Sequence, residues 1–220
     1  MNGTCLLRRV FAGVLCLFMI LPAGCEDPQA AEKEAIRAAL RQLDDANEAR
    51  DGAAAVAVMS SRALEEYTRL VKIALDGSKT DVQTLSPLEM LQVIQMRHRM
   101  DRRQLAAMDG KAFQEYATGE GWNSGARARW EDTIGDISVA GDTAYAEVLG
   151  TDGGDSGVQG HFEREEGVWK VNHFSFMRVW DDELRRLALQ YDIGLPEMIV
   201  RFEEMATLQQ IRKSIWEPMR

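Results

Sequence analysis

Hydrophobic and polar residues in the first half of the chain recur with the period of amphipathic helices. Within 31–50, apolar residues follow one another at spacings of four and three up to Leu43, and Asn47 takes the next position of the same stripe. This pattern predicts one helix over 31–50. A second helical stretch is predicted over 53–75, with a break near 60–61.

The segment 86–89, Ser-Pro-Leu-Glu, is a specific helix start. Serine followed three residues later by glutamate forms a capping box, and proline is favoured at the first helical position. A helix is therefore predicted to run from this segment towards Met100. Two shorter helices are predicted over 101–108 and 111–118, before Gly119 and Gly121.

The pattern changes at about residue 129, where strand-like runs replace the helical period. Short links separate these runs, and Glu166-Gly167 predicts a tight turn between the last two. Consecutive strands with short links indicate an antiparallel sheet. The predicted strands cover 129–139, 143–150, 158–165 and 168–176.

Helical patterning returns after Trp180. Asp181-Asp182 can cap a helix that extends to about 191, and Leu195-Pro196 begins another. Helices followed by an antiparallel sheet predict the α+β class. On the last helix, one apolar side is predicted to contain Ile199, Phe202, Met205, Leu208, Ile211 and Ile215.

The first 25 residues have the order of an export signal. Arg8 and Arg9 precede an apolar run over 10–21. This run is shorter than the roughly 20 residues that a membrane-spanning helix requires. Small residues at 23–24 then lead to Cys25 and a charged segment.

This arrangement resembles the lipobox of bacterial lipoproteins, in which the cysteine after the cleaved bond is diacylated and becomes the first residue. The resemblance implies cleavage after Gly24 and a lipid on Cys25. The family has leucine three positions before the cysteine, where this chain has Pro22. Cys5 and Cys16 would be removed with the signal, which leaves the mature chain no cysteine pair for an internal disulfide. The alternative interpretation is a buried apolar helix with an incidental cysteine.

A lipid anchor predicts an exported protein held at the cell membrane or outer membrane, facing the periplasm or the cell exterior. Removal of 24 of the 220 residues would leave 196, enough for one domain with a substantial core. Loss of Arg8 and Arg9 would take the net charge from −9 to −11. Such an acidic surface argues against nucleic acid as a partner.

Three segments of the mature chain resemble the NTF2-like family, which includes ketosteroid isomerase and SnoaL-type cyclases. AIRAALRQLDDANEARDGAAAVAVMS resembles its opening helix pair, and DISVAGDTAYAEVLG and HFEREEGVWKV resemble its strands. The resemblance implies a cone formed by a curved antiparallel sheet on the N-terminal helices. Many members enclose a pocket in this cone and many form homodimers, but the family implies no single function.

The predicted organisation is a signal peptide over 1–24, a lipidated tether over 25–30 and an NTF2-like domain over 31–180. Extra helices are predicted as an insertion at about 78–125 and as a C-terminal extension over 181–220.

The last hairpin predicts which residues face the interior of the cone. With the turn at Glu166-Gly167, Glu163 is opposite Lys170, in a predicted cross-strand ion pair, and Phe162 is opposite Val171 on the other face. His173 has the parity of Trp169 and is predicted to face inward, whereas His161 faces the other side. This geometry argues against a shared zinc site, and no metal or cofactor is predicted.

His173 is the leading candidate for a polar group in an apolar pocket, where it could orient a ligand or move a proton. A hydrogen-bonded core histidine is the favoured alternative. Asp132, near the start of the first strand, could act as a general base if it is buried. The aromatic candidates for the pocket wall are Tyr67, Trp130, Phe162 and Trp169, and core packing is the alternative for each.

Two functions remain open from the sequence. The favoured one is a non-catalytic domain that binds a small apolar ligand or an envelope protein. The other is a cone-pocket enzyme, an isomerase, dehydratase or hydrolase acting on a small apolar substrate. A buried Asp132 or His173 beside an open pocket would favour the enzyme, and a pocket filled by its own side chains would favour a protein-interaction module.

Overall fold

The computed structural model describes residues 27–122, 129–150 and 153–220. Helices and one four-stranded antiparallel sheet make up this part of the chain, which confirms the predicted α+β class. The predicted signal sequence and the predicted lipid site at Cys25 lie outside the described residues. Along the described segments, every helix is too short or too polar to cross a membrane.

The N-terminal helices follow the predicted pattern closely. They are α1 (Ala30–Ala49), α2 (Gly52–Val58) and α3 (Ser61–Asp76). The predicted break at 60–61 is confirmed, because the Ser60 hydroxyl caps the start of α3 by accepting a hydrogen bond from a backbone N–H.

Four shorter helices follow. The predicted capping box is confirmed, since the Ser86 and Glu89 side chains each accept a hydrogen bond from the other residue's backbone N–H. The same kind of box at Ser78 and Asp81 starts a one-turn helix that the apolar periodicity did not indicate. These helices are α4 (Lys79–Gln83), α5 (Pro87–Arg99), α6 (Arg102–Ala106) and α7 (Gly110–Gly119).

The sheet is an antiparallel meander with the strand order β1-β2-β3-β4. Its strands are β1 (Ile134–Ala140), β2 (Thr143–Leu149), β3 (Asp155–Glu165) and β4 (Val168–Asn172). The predicted first strand begins too early, since residues 130–133 form a 3-10 turn.

The last hairpin has the predicted register, with Phe162 opposite Val171 and Glu163 opposite Lys170. Its turn residues Glu166 and Gly167 both have positive φ, 51° and 81°, as a type I′ turn requires. The predicted ion pair is replaced by other contacts. The Lys170 ammonium donates to the Ala57 carbonyl (2.5 Å), and the Glu163 carboxylate lies 3.8 Å from Arg62.

The prediction that the fourth strand continues to 176 is wrong. β4 ends at Asn172, whose side chain accepts a hydrogen bond from the Ser175 N–H and so caps a short helix, α8 (His173–Met177). Ser175 Oγ also donates to the Asn172 carbonyl (2.7 Å) and accepts from the His161 N–H (2.8 Å). His173 is therefore buried as a helix residue, and strand parity does not determine its direction.

The C-terminal part contains α9 (Val179–Gln190) and α10 (Leu195–Thr207). The prediction of one apolar side extending to Ile215 is wrong. Met205 is 66% exposed within α10, and Leu208 is 92% exposed because α10 ends at Thr207 and Leu208 takes a positive φ of 56°. Ile215 is buried, but it belongs to a separate 3-10 turn over 213–216.

The hydrophobic core has two parts. One lies between α1, α2, α8 and the inner face of the sheet, and the other lies among helices α3 to α10. The predicted helical insertion and the C-terminal extension therefore share one core, in which α9 and α10 pack on α5. The largest fully buried side chains of the two parts include Ile36, Leu40, Phe162 and Phe176 in the first, and Tyr67, Leu70, Phe113 and Ile94 in the second.

Candidate functional site

A half-open cavity of about 1100 Å³ lies where the two parts of the core meet. The C-terminal end of α1, one side of α5, the ends of β2 and β3, and helices α8 to α10 contribute to its wall. Most of the wall in the described residues is apolar, from Leu88, Leu91, Trp122, Trp130, Leu149, Val158, Met177, Val179, Trp180, Leu184 and Phe202.

Local hydrogen bonds on α1 fix the position of the 3-10 turn at the cavity. The Asp44 carboxylate accepts a hydrogen bond from the Glu131 N–H (3.1 Å), and Arg41 forms an ion pair with the Glu131 side chain (2.5 Å). These contacts place Trp130 and Asp132, on either side of Glu131, at the cavity wall. Burial raises the pKa of Asp44, while the backbone N–H groups that it accepts from lower it in part.

His173 contributes a buried imidazole to the cavity wall, with only 3% of the residue exposed. Its Nδ1 lies 3.1 Å from the hydroxyl of Tyr67, which is fully buried behind it. Burial raises the pKa of the Tyr67 hydroxyl, so this group stays protonated at neutral pH. The Trp130 ring meets the imidazole edge to face, with 6.2 Å between ring centroids.

Two amide side chains also reach the cavity from buried positions. Gln92 on α5 is 7% exposed, and its amide forms no hydrogen bond with the described residues. Asn47 on α1 is 8% exposed, and its Oδ1 is buried without a hydrogen-bond partner. Polar groups at such depth are normally paired, so both amides are candidates for contact with a bound molecule.

The charged residues of the cavity wall lie towards solvent. Asp132, Asp182 and Arg186 are exposed, and Glu183 is half-buried. Arg186 donates to both carboxylate oxygens of Glu183, at 2.6 and 2.9 Å, and this pairing lowers the pKa of Glu183. The described wall is thus mainly apolar inside, and its carboxylates and its guanidinium lie at the rim.

The structure brings together some of the predicted site residues and separates others. Trp130, His173 and Asp132 line the cavity, and Tyr67 supports His173 from behind. Asp132 is exposed, so the condition on which its role as a general base depends is not met. Phe162 lies in the core, where its ring packs edge to face on Phe176.

Trp169 lies at the opposite end of α1 from the cavity. Its indole N–H donates to Glu32 (2.6 Å), and the Arg164 guanidinium stacks 4.6 Å from its ring centroid. Asn47 borders the cavity fifteen residues further along α1, a separation of roughly 22 Å at the 1.5 Å rise per residue of a helix. The hairpin residue Trp169 is therefore not part of this site.

The two histidines of the last hairpin region occupy different environments. His161 lies on the outer face of the sheet, where its ring meets that of Tyr145 edge to face at 4.9 Å. Burial lowers the pKa of His161, and the nearby Arg62 adds to this effect. No group of three His, Cys, Asp or Glu side chains within 27–122, 129–150 and 153–220 could hold a metal ion.

Sequence reasoning did not assign a site role to Gln92 or Asn47. For Asn47 a signal was present, because a polar residue occupies the apolar stripe of α1 at the turn after Leu43. For Gln92 the sequence signal is weak. Residues on both sides of α5 are buried, so the helix shows no clear alternation between an apolar and a polar side. The remaining wall residues of α5 and α10 belong to elements outside the resemblance to the NTF2-like family.

Comparisons with known proteins identify no family for the chain. No family model matches it, and neither the curated proteins nor the solved structures contain a significant match.

Proposed function

We propose that this chain is an exported, lipid-anchored protein whose NTF2-like domain binds a small and mainly apolar molecule without transforming it. The observation that carries this proposal is the half-open cavity of about 1100 Å³ with an apolar wall. Binding sites for small molecules are usually concave, mainly apolar and furnished with a few polar groups. His173, Gln92 and Asn47 supply such groups here.

Two features of the fold support the NTF2-like part of the proposal. The helix pair α1 and α2 packs on the inner face of an antiparallel meander, in the order that the family resemblance implies. A cavity opens at one end of this assembly, as a ligand-binding cone requires.

The arrangement of ionisable groups favours binding over catalysis. Among the described wall residues, the carboxylates of Asp132 and Asp182 are exposed, so neither is held in an apolar environment beside His173. The Asp44 carboxylate is buried, but it accepts backbone hydrogen bonds that hold the 3-10 turn. None of these three carboxylates is therefore both buried and free of structural hydrogen bonds, which is the arrangement that would favour a general base.

Binding to the cavity is testable with the neutral fluorescent probe N-phenyl-1-naphthylamine. The full-length protein is purified with any processing that the cells carry out. If it is membrane-bound, it is reconstituted in nanodiscs, and empty nanodiscs serve as the blank. We expect saturable binding of the probe, and we expect Leu91→Trp to weaken it about tenfold or more by filling the cavity.

Leu189→Trp is the matched control, because Leu189 is 83% exposed on α9 and lies away from the cavity. The control should bind the probe as the wild type does. Equal binding by wild type, Leu91→Trp and blank would contradict the proposed ligand site and favour a protein-interaction module instead.

The anchor is testable by Cys25→Ser. Two or three acyl chains hold a protein stably at a membrane, so the wild type should sediment with membranes and the variant should move to the soluble fraction. Cys16→Ser, which changes a cysteine in the predicted signal sequence, should leave sedimentation unchanged. A Cys25→Ser variant that still sediments as the wild type does would refute the lipid anchor, whatever the cavity binds.

A further inference from the structure

The most buried polar side chains of the cavity wall are two amides and an imidazole. Gln92 and Asn47 carry amides, which both donate and accept, and His173 carries an imidazole. Each of the three residues is more than nine-tenths buried. The Gln92 amide has no hydrogen bond to the described chain and is not among its fully buried polar atoms, so it is open to the cavity, where a bound molecule can replace water as its partner.

The charged side chains of the wall are poorly arranged to bind an anion. Arg186 is the one Arg or Lys side chain among the described wall residues, and it donates to the Glu183 carboxylate (2.6 and 2.9 Å) and to the Gln190 amide oxygen (3.1 Å). Asp132 and Asp182 add negative charge at the rim, and Arg185 pairs with Asp182 at 3.2 Å. A carboxylate or phosphate head would lose its hydration on entry without gaining a free guanidinium or ammonium group as its counter-ion.

The buried part of the cavity wall also disfavours a cationic ligand. The described residues that are buried in the wall include no carboxylate, and the acidic residues of the wall lie at its rim. Burial of an ammonium group beside Gln92 would therefore also lack compensation by an opposite charge. An uncharged polar head can exchange its water contacts for the two amides at no cost in buried charge.

From these contacts we infer that the cavity takes amphiphiles with an uncharged hydrogen-bonding head, such as an amide or a hydroxyl, and rejects fatty acids of the same chain length. The Gln92 amide holds the head, and the apolar wall holds the tail. This specificity rests on the proposed function, because it requires that the cavity bind a small molecule.

Three compounds with the same ten-carbon chain test the inference: decanamide, decanoate and decylamine. Each competes with N-phenyl-1-naphthylamine for the full-length protein, below the concentration at which it forms micelles. We expect decanamide to bind about tenfold more tightly than decanoate or decylamine. Gln92→Met, which keeps the length of the side chain and removes the amide, should reduce this preference to about twofold or less. The preference is a ratio of two affinities within one variant, so it can be compared between variants even where the affinity for the naphthylamine differs.

Gln83→Met is the matched control, since Gln83 is exposed on α4 and does not border the cavity. It should keep the full preference for decanamide. Binding of decanoate as tight as that of decanamide, or an unchanged preference in Gln92→Met, would overturn the inferred specificity while the naphthylamine still bound. Failure of the naphthylamine itself to bind would instead overturn the proposed function.

Discussion

Replacing Arg97 by methionine is expected to lower the free energy of unfolding by about 3–5 kcal/mol. Arg97 is a nearly buried residue of α5, 8% exposed, whose guanidinium donates to four backbone carbonyls. Three of them lie at the C-terminal end of α3 and its cap Gly77, where the last carbonyls of a helix lack intrahelical partners, although the Ile73 carbonyl also accepts from the Gly77 N–H. The acceptors are Ile73 (3.0 Å), Ala74 (2.8 Å), Gly77 (2.6 Å) and Ile215 (3.0 Å).

The effect should be large because the charge and its acceptors are buried together. Burial lowers the pKa of Arg97, and the negative charge of Glu217 offsets part of that effect. Methionine fills the space of the side chain but leaves these carbonyls without the guanidinium donors. Because the Ile215 carbonyl is one of the acceptors, the C-terminal segment should also become more accessible to proteases.

Urea unfolding followed by circular dichroism measures the change in free energy. Arg103→Met is the control, because Arg103 is exposed on α6 and the same substitution there should change the free energy by less than about 0.5 kcal/mol. A loss below about 1 kcal/mol in Arg97→Met would show that the four hydrogen bonds do not stabilise the junction of α3 and the C-terminal segment.

The sequence predicts the elements whose signals are local. The capping box at Ser86 and Glu89 determines where α5 begins, and it is visible in four consecutive residues. The turn at Glu166-Gly167 determines the register of the last hairpin, because a two-residue turn fixes which residues face each other. The break at Ser60 follows from the same kind of local capping signal.

Features that depend on tertiary contacts could not be predicted in this way. Residues 173–176 continue the alternation of a strand, yet the Asn172 cap and the packing of Phe176 on Gly160 and Phe162 turn them into α8. A side chain added at Gly160 would lie about 2.2 Å from the Phe176 ring, so this glycine is what admits the helix. Nothing in the local pattern around Gly160 indicates that contact.

The candidate site was predictable only where a local signal marked a residue. Trp130 and His173 were found as an aromatic and a polar residue near the expected cone, and both line the cavity. Phe162 and Trp169 are also aromatic residues near the expected cone, but Phe162 packs in the core and Trp169 lies at the far end of α1. Gln92 was missed because its role depends on α5 meeting α9 and α10, a long-range contact without a sequence motif.

Replacing Glu203 by glutamine is expected to lower the free energy of unfolding by about 3 kcal/mol. This value is at the low end of the range for breaking a buried ion pair, because the partner side chain, Arg99, is 19% exposed. Glu203 is fully buried on α10 and accepts two hydrogen bonds from Arg99 on α5, at 2.6 and 2.7 Å. Glutamine keeps the shape but leaves the guanidinium without its opposite charge. Urea unfolding measures the loss, and hydrogen exchange locates it in α10.

The same substitution should weaken probe binding, because α10 supplies Phe202 to the cavity and the Arg99 guanidinium lies 4.8 Å from the ring centroid of Trp122, another wall residue. Glu197→Gln is the matched control on the same helix. Its ion pair with Arg201 is exposed, and its loss should cost less than about 0.5 kcal/mol.

The double variant Arg99→Met/Glu203→Met removes both charges. Its stability should return to within about 1 kcal/mol of the wild type, because no buried charge then lacks a partner. A double variant no more stable than Glu203→Gln would show that α10 needs the two hydrogen bonds themselves rather than compensation of the buried charge.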